Sequence, residues 1–329
     1  MNESPQVLSQ INRRELLHHG SALLRFGALL GSATFLGCVP QSQASREPDL
    51  IWGRMGISEG RFQKARAVTI SPEQELYIVD MLGRVQVYDL DGQYKRGWTT
   101  PAISQGKPTG LGWSLDGLLM VADTHYFRVL FYTNAGELKS ERTIGGQFGE
   151  LPGQFSFVTD VAQDKRGHYF VGQYGQIDRI QEFDPSGRLV RIWGSQGSKP
   201  GEFSRPQCLK IDGDGLLWIA DACNHRIQVF DISGTSPDLV RIWGSPGTQP
   251  GFLKNPYGIE FDTDSTVLVC EFGNHRIQRF TAAGQPLELW GGHGKEPGKL
   301  LNPWGLAVDA RRRLHVLDTG NFRVQRFLM

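Results

Sequence analysis

The chain carries only four cysteines in 329 residues, and none of them forms a Cys-x-x-Cys pair. It also lacks His-Glu-x-x-His, Gly-x-Ser-x-Gly and the phosphate-binding loop, so no familiar zinc-protease, serine-hydrolase or nucleotide-hydrolysing motif is present. Charge of one sign is missing too: 35 Lys and Arg stand against 34 Asp and Glu, and beyond residue 38 the two balance. Nucleic-acid binding needs a basic face, so it is not expected here. Long apolar runs are absent as well. The most apolar stretch, Gly20 to Gly37, contains Arg25, and a charge at mid-bilayer costs about 2.5 to 3.5 kcal/mol, which argues against a transmembrane helix. What the chain has in quantity is turn formers and aromatic residues: 41 Gly, 17 Pro and eight Trp. That composition points to many short strands around a substantial core.

The first 38 residues read as an export signal. Asn12-Arg13-Arg14-Glu15-Leu16-Leu17 resembles a twin-arginine motif, and Phe35-Leu36-Gly37-Cys38 resembles a lipobox with Phe in place of the usual Leu. Cys38 would then be acylated, and residues 39–48 would form a tether rich in Ser, Gln and Pro. The expected location is the periplasm or cell envelope, with membrane attachment through the lipid. An ordinary signal peptide cleaved nearby, or a disordered tail, is the alternative.

From residue 49 onward the sequence repeats. Pro200-Gly201-Glu202-Phe203 recurs as Pro152-Gly153-Gln154-Phe155, Pro250-Gly251-Phe252 and Pro297-Gly298-Lys299-Leu300. Asp221 to Phe230 recurs at Glu271 to Phe280 and Asp318 to Phe327, with looser copies earlier. The landmark residues Asp80, Asp123, Gln173, Asp221, Glu271 and Asp318 are spaced 43, 50, 48, 50 and 47 residues apart. Each unit holds four short apolar segments bounded by turns, which is a strand pattern. Six such units predict an all-β, six-bladed β-propeller of four-stranded antiparallel blades. The last unit stops at Met329 without a fourth strand, and Leu50-Ile51-Trp52-Gly53 matches what is missing. The N-terminal strand is therefore expected to pair into the last blade and close the ring.

This pattern resembles the NHL repeat over residues 49–329; WD and Kelch signatures fit less well. Residues that recur on the top face, where second strands end, read as architecture: Asp221 capping its turn, Arg226 beside it, and His225 and His275 in packing. His293 and His315 read as surface or turn residues. The positions where the units disagree are more informative about function. The residue after the first-strand Pro site is Arg66, Thr109, Thr159, Gln207, Tyr257 and Trp304 in turn, and the second-strand turns add His125, Tyr126, Tyr174 and Phe272. These are expected to ring the channel mouth and to stack on a peptide, protein or glycan ligand. Plugging of the channel by Tyr257 and Trp304 is the equal alternative. Cys208 and Cys223 fall at one end of unit four, which allows a disulfide there or two small buried thiols.

The leading expectation is a non-catalytic binding or scaffold module, monomeric and without a cofactor; a divalent metal in the central channel stays open. An exported propeller enzyme, a lyase or lactonase-like hydrolase, is the alternative that the resemblance implies. Related propellers include a peptide-amidating lyase whose zinc histidines follow the first-strand Pro, and none of the six corresponding residues here is His.

Overall fold

A computed structural model describes residues 47–263 and 265–329. Residues 1–38, expected from the sequence to form an export signal ending at Cys38, lie outside the described residues. The expected architecture is present: six four-stranded antiparallel sheets, with short 3-10 turns as the only helical elements among the described residues. Blade 4 shows the plan. Its strands are Pro206–Ile211, Leu216–Asp221, Arg226–Asp231 and Asp238–Trp243, each paired to the one before it. Leu217 to Ala220 are buried without a break, because both faces of each sheet are covered by neighbouring blades.

The core is six separate clusters, one per interface between blades. Fourth-strand tryptophans contribute to most of them. In blade 6 that strand comes from the other end of the chain: Leu50–Trp52 pairs antiparallel with Arg323–Leu328, in the register Leu50 to Arg326 and Trp52 to Val324. Trp52 packs on Tyr88 at 4.6 Å between ring centroids, sealing blade 6 against blade 1. Asp49 adds an ion pair to Arg326 at 2.7 Å.

The first strands run down the axis from top to bottom face, and in blades 1, 3, 4 and 5 their upper ends carry a β-bulge. In blade 1 Ala65 pairs with Asp80 and Ala67 with Val79, leaving Arg66 as the extra residue. Gln207 and Tyr257 are extra in the same way in blades 4 and 5. A bulge re-aims the side chain it carries. Here it occurs where the sequence varies most between units.

Candidate functional site

Two rings of side chains occupy the top face. The outer ring is structural. Asp221 is fully buried and accepts four hydrogen bonds, from the Ser204 backbone N–H, Asn224, Arg226 Nε and Gln228. Arg226 spends its remaining donors on the carbonyls of Ser198, Lys199 and Glu202, which tie down the Pro-Gly lead-in loop. Glu271 with Arg276 and Asp318 with Arg323 repeat this corner. His225 and His275 serve the next blade: each Nδ1 accepts a backbone N–H, from Asn255 at 3.1 Å and Asn302 at 3.0 Å. Burial holds both imidazoles below their ordinary pKa, which suits a neutral acceptor. His315 differs from its expected surface or turn position, being fully buried against Asp309.

The inner ring surrounds the channel mouth, and the blades contribute different mixtures of aromatic and cationic groups. Trp304 contacts Tyr257 at 5.0 Å, and Phe272 stacks on Tyr257 at 4.7 Å. The Arg205 guanidinium lies over Tyr257 at 5.1 Å and over Tyr174 at 4.8 Å. Tyr174 meets Phe157 at 5.3 Å, and Phe157 meets His125 at 4.8 Å. Arg66 lies over Trp304 at 5.1 Å and feels the charge of Arg205. Aromatic and cationic groups thus alternate around most of the opening. Such contacts contribute about 0.5 to 2 kcal/mol each, more where water is excluded.

Arg66 and Trp304 each keep a buried nitrogen, Nε and Nε1 respectively, without a hydrogen-bond partner among the described residues. Burial and the neighbouring Arg205 lower the pKa of Arg66, against the opposing pull of Tyr174 and Tyr257. Burial also lowers the pKa of His125, helped by Arg66 and Lys107, which favours neutral imidazole at pH 7. The mouth therefore presents two guanidinium groups, with Asp178 buried behind Arg205, where it accepts the Arg205 backbone N–H at 2.6 Å.

Of the residues picked from the sequence, Arg66, Thr109, Gln207, Tyr257 and Trp304 line one small cavity of about 40 Å³ beneath the mouth. That volume admits a water molecule or two, and Tyr257 and Trp304 are among the side chains that wall it. Thr109 and Thr159 are placed differently from expectation. Thr159 is fully buried and donates to the Pro206 carbonyl of blade 4, and Thr109 donates to the Thr159 carbonyl at 2.9 Å. Both hydroxyls hold blades together. Gln207 is buried and accepts from Arg205 Nε at 2.9 Å, orienting that guanidinium.

Sequence reasoning missed Arg205 and Phe157. Both occupy the position before the first-strand Pro site, where other units carry Lys64, Lys107, Asn255 and Asn302. Arg205 adopts φ 59°, a left-handed conformation that suits Asn far better than Arg. That mismatch was the available signal. Cys208 and Cys223 are not bridged; both are free thiols. The bulge at Gln207 sets Cys208 opposite Ala220 in the core between blades 4 and 5, while Cys223 lies exposed in the 3-10 turn Ala222–Asn224. Among the described residues, no group of three His, Cys, Asp or Glu side chains is placed to hold a metal ion.

Comparison with known proteins gives the chain its relatives. NHL repeat-containing protein 3 of Mus musculus is 25% identical over 163 residues, covering 46% of each chain, so this chain spans about half the length of that relative. Peptidyl-glycine alpha-amidating monooxygenase of Mus musculus is 33% identical over 131 residues, 37% of this chain and 13% of the enzyme. Among solved structures, virginiamycin B lyase from Staphylococcus aureus aligns with a TM-score of 0.56 at 17% identity over 81% of each chain. An auxiliary nutrient binding protein from Bacteroides thetaiotaomicron aligns with a TM-score of 0.62 at 12% identity, over 80% of this chain and 69% of that one. These structural likenesses establish the fold alone. The SMP-30/Gluconolactonase/LRE-like region matches residues 64–291 and an NHL repeat matches residues 300–327. With well over half its length matched in this way, the chain belongs to the SMP-30/gluconolactonase/LRE-like family of propellers, with an NHL repeat in its last blade.

Proposed function

We propose that the protein is a binding module of the bacterial cell envelope that captures a peptide, protein or glycan across its top-face mouth. The observation that carries this reading is the alternating ring of Arg66, Trp304, Tyr257, Arg205, Tyr174 and Phe157. Its guanidinium groups are held by stacking on aromatic rings, and Arg66 is unmatched by any carboxylate. The floor is too shallow to engulf a small molecule, so the ligand lies on the surface. An extended chain with a flat apolar face and anionic or hydrogen-bonding edges fits that relief. Attachment through Cys38 would hold the module at the membrane, and loss of lipid labelling in Cys38→Ala checks it.

The test is capture of envelope peptides and glycans from a defined panel by the wild type and by Arg66→Ala combined with Trp304→Ala. Binding should fall at least about tenfold while the melting temperature barely moves. Undiminished capture by the double variant would sink the proposal. A second reading, an exported lyase, draws on the resemblance to the amidating enzyme. Turnover of a peptidyl-α-hydroxyglycine by the purified protein, with metal measured in the same sample, would favour it over the binding module.

A further inference from the structure

The channel has a second, larger opening. Four places after the first-strand Pro site the blades carry Thr69, Gly112, Ala162, Lys210, Glu260 and Ala307. Most of these are small, and below them lies a cavity of about 310 Å³ on the bottom face. Lys210 and Glu260, on adjacent blades, form an ion pair at 2.9 Å on its wall. Their side chains are 27% and 19% exposed although both belong to axial strands, so they reach solvent through this chamber. Ile70, Trp113, Ile211 and Val308, one step further down each strand, form an apolar rim.

Architecture does not call for the pair. The other four blades meet the same need with Thr, Gly or Ala, and a sequestered ion pair contributes little net stability compared with apolar residues of similar size. Burial opposes charge on Lys210, yet Glu260, Cys208 and Asp160 outweigh it and hold the ammonium well above its ordinary pKa. Lys210 has three protons to donate, and Glu260 is its only hydrogen-bond acceptor among the described residues. Glu260 in turn accepts from the Phe261 backbone N–H at 3.2 Å, which fixes the carboxylate.

We infer that this chamber binds a zwitterionic α-amino acid with an apolar side chain. The carboxylate sits on Lys210, the ammonium on Glu260, and the side chain points toward Trp113 and the aliphatic rim. The volume lies at the lower end of small-molecule pockets, which fits one amino acid better than a polymer. Paired opposite charges also give selectivity: a simple amine meets Lys210, and a simple acid meets Glu260, each without compensation.

Calorimetric titration of the purified protein tests the assignment with leucine, 4-methylpentanoic acid and 3-methylbutan-1-amine, the last two each lacking one charge of the zwitterion. Leucine should bind at least about tenfold more tightly than either. Lys210→Met and Glu260→Gln should each lose about that factor, and the charge-swapped Lys210→Glu/Glu260→Lys should recover it. Arg66→Ala/Trp304→Ala at the opposite mouth should leave leucine binding unchanged. The inference is overturned if leucine does not bind, if the three compounds bind alike, or if both single variants bind leucine normally. Should the single variants fail to fold, a folded swap that does not bind leucine overturns it equally.

Discussion

The top face holds arginines in two opposite circumstances. At the blade corners Arg226 makes four hydrogen bonds, and related bonds recur for Arg276 and Arg323. At the mouth, a short distance toward the axis, Arg66 has a ring beneath it and no acceptor for its buried Nε. Both kinds of residue sit at fixed positions in a sixfold repeat. Repetition marks the corners as scaffold, because every blade must anchor its lead-in loop in the same way. Variation marks the mouth as the place where scaffold demands are relaxed. Blade 3 shows how tolerant the scaffold is: Gln173 replaces the carboxylate, and Arg179 still reaches it and the carbonyls of Glu150, Leu151 and Gln154.

The harshest way to break the comparison is to remove the scaffold's closure. Deleting residues 47–53 takes away the fourth strand of blade 6, the Asp49 to Arg326 ion pair and the Trp52 ring. The strand Arg323–Leu328 then becomes an unprotected edge, a template for aggregation. We expect loss of cooperative melting and soluble yield, and a deletion variant melting like the parent would show that the ring closes without this segment. Arg226→Ala comes next. It strands the fully buried Asp221 and frees three carbonyls of the lead-in loop, a cost of about 3 to 5 kcal/mol readable by chemical denaturation. A loss below about 1 kcal/mol would mean that the corner is not structural.

A smaller effect, with a pH signature, lies between the rings and the second chamber. Asp160 is 6% exposed, and burial pushes its carboxyl up to about 6, against the opposing Leu209 N–H and Lys210. One oxygen accepts from Leu209 at 3.0 Å and the other has no hydrogen-bond partner among the described residues. The ordinary value is about 4, so between roughly pH 4 and pH 6 the folded chain keeps a proton that the unfolded chain has lost. Stability therefore falls as pH rises through that window, by about 3 kcal/mol at most. Asp160→Asn should melt like the wild type at pH 4 and above it at pH 8. An equal difference at both pH values would rule out the titration of this carboxyl as the cause.

The fold was legible because its scaffold residues are local and repeated. Asp221, Asn224, Arg226 and the Pro-Gly-x-Phe loop lie within about thirty residues of one another, so a single unit displays the whole corner. Ring closure showed as one missing Trp-Gly strand at the end and one spare at the start. The mouth was partly legible: Arg66, Tyr257 and Trp304 stood out by differing at one shared position. Thr109 and Thr159 stood there too, but a hydroxyl that bonds the next blade's carbonyl looks the same in sequence as one that faces a ligand. Arg205 and Phe157 hid among turn residues. The Lys210 and Glu260 pair was invisible for another reason: fifty residues separate them, and only the curvature of the ring makes them neighbours.

The mildest expected change sharpens the comparison most. Arg66→Ala removes a guanidinium that burial already disfavours and whose Nε has no partner, so little hydrogen bonding is lost with it. What disappears is the contact over Trp304, about 0.5 to 2 kcal/mol, and relief of the desolvation and of the repulsion from Arg205 offsets part of that. The net change in unfolding free energy should stay within about 1 kcal/mol in either direction, several times less than for Arg226→Ala. Two arginines on the same face of the same disc would then differ in structural cost because one is fully bonded and the other is not. If Arg66→Ala instead destabilises as much as Arg226→Ala, the mouth is scaffold like the corners, and the ligand surface has to be sought at the opposite end of the channel.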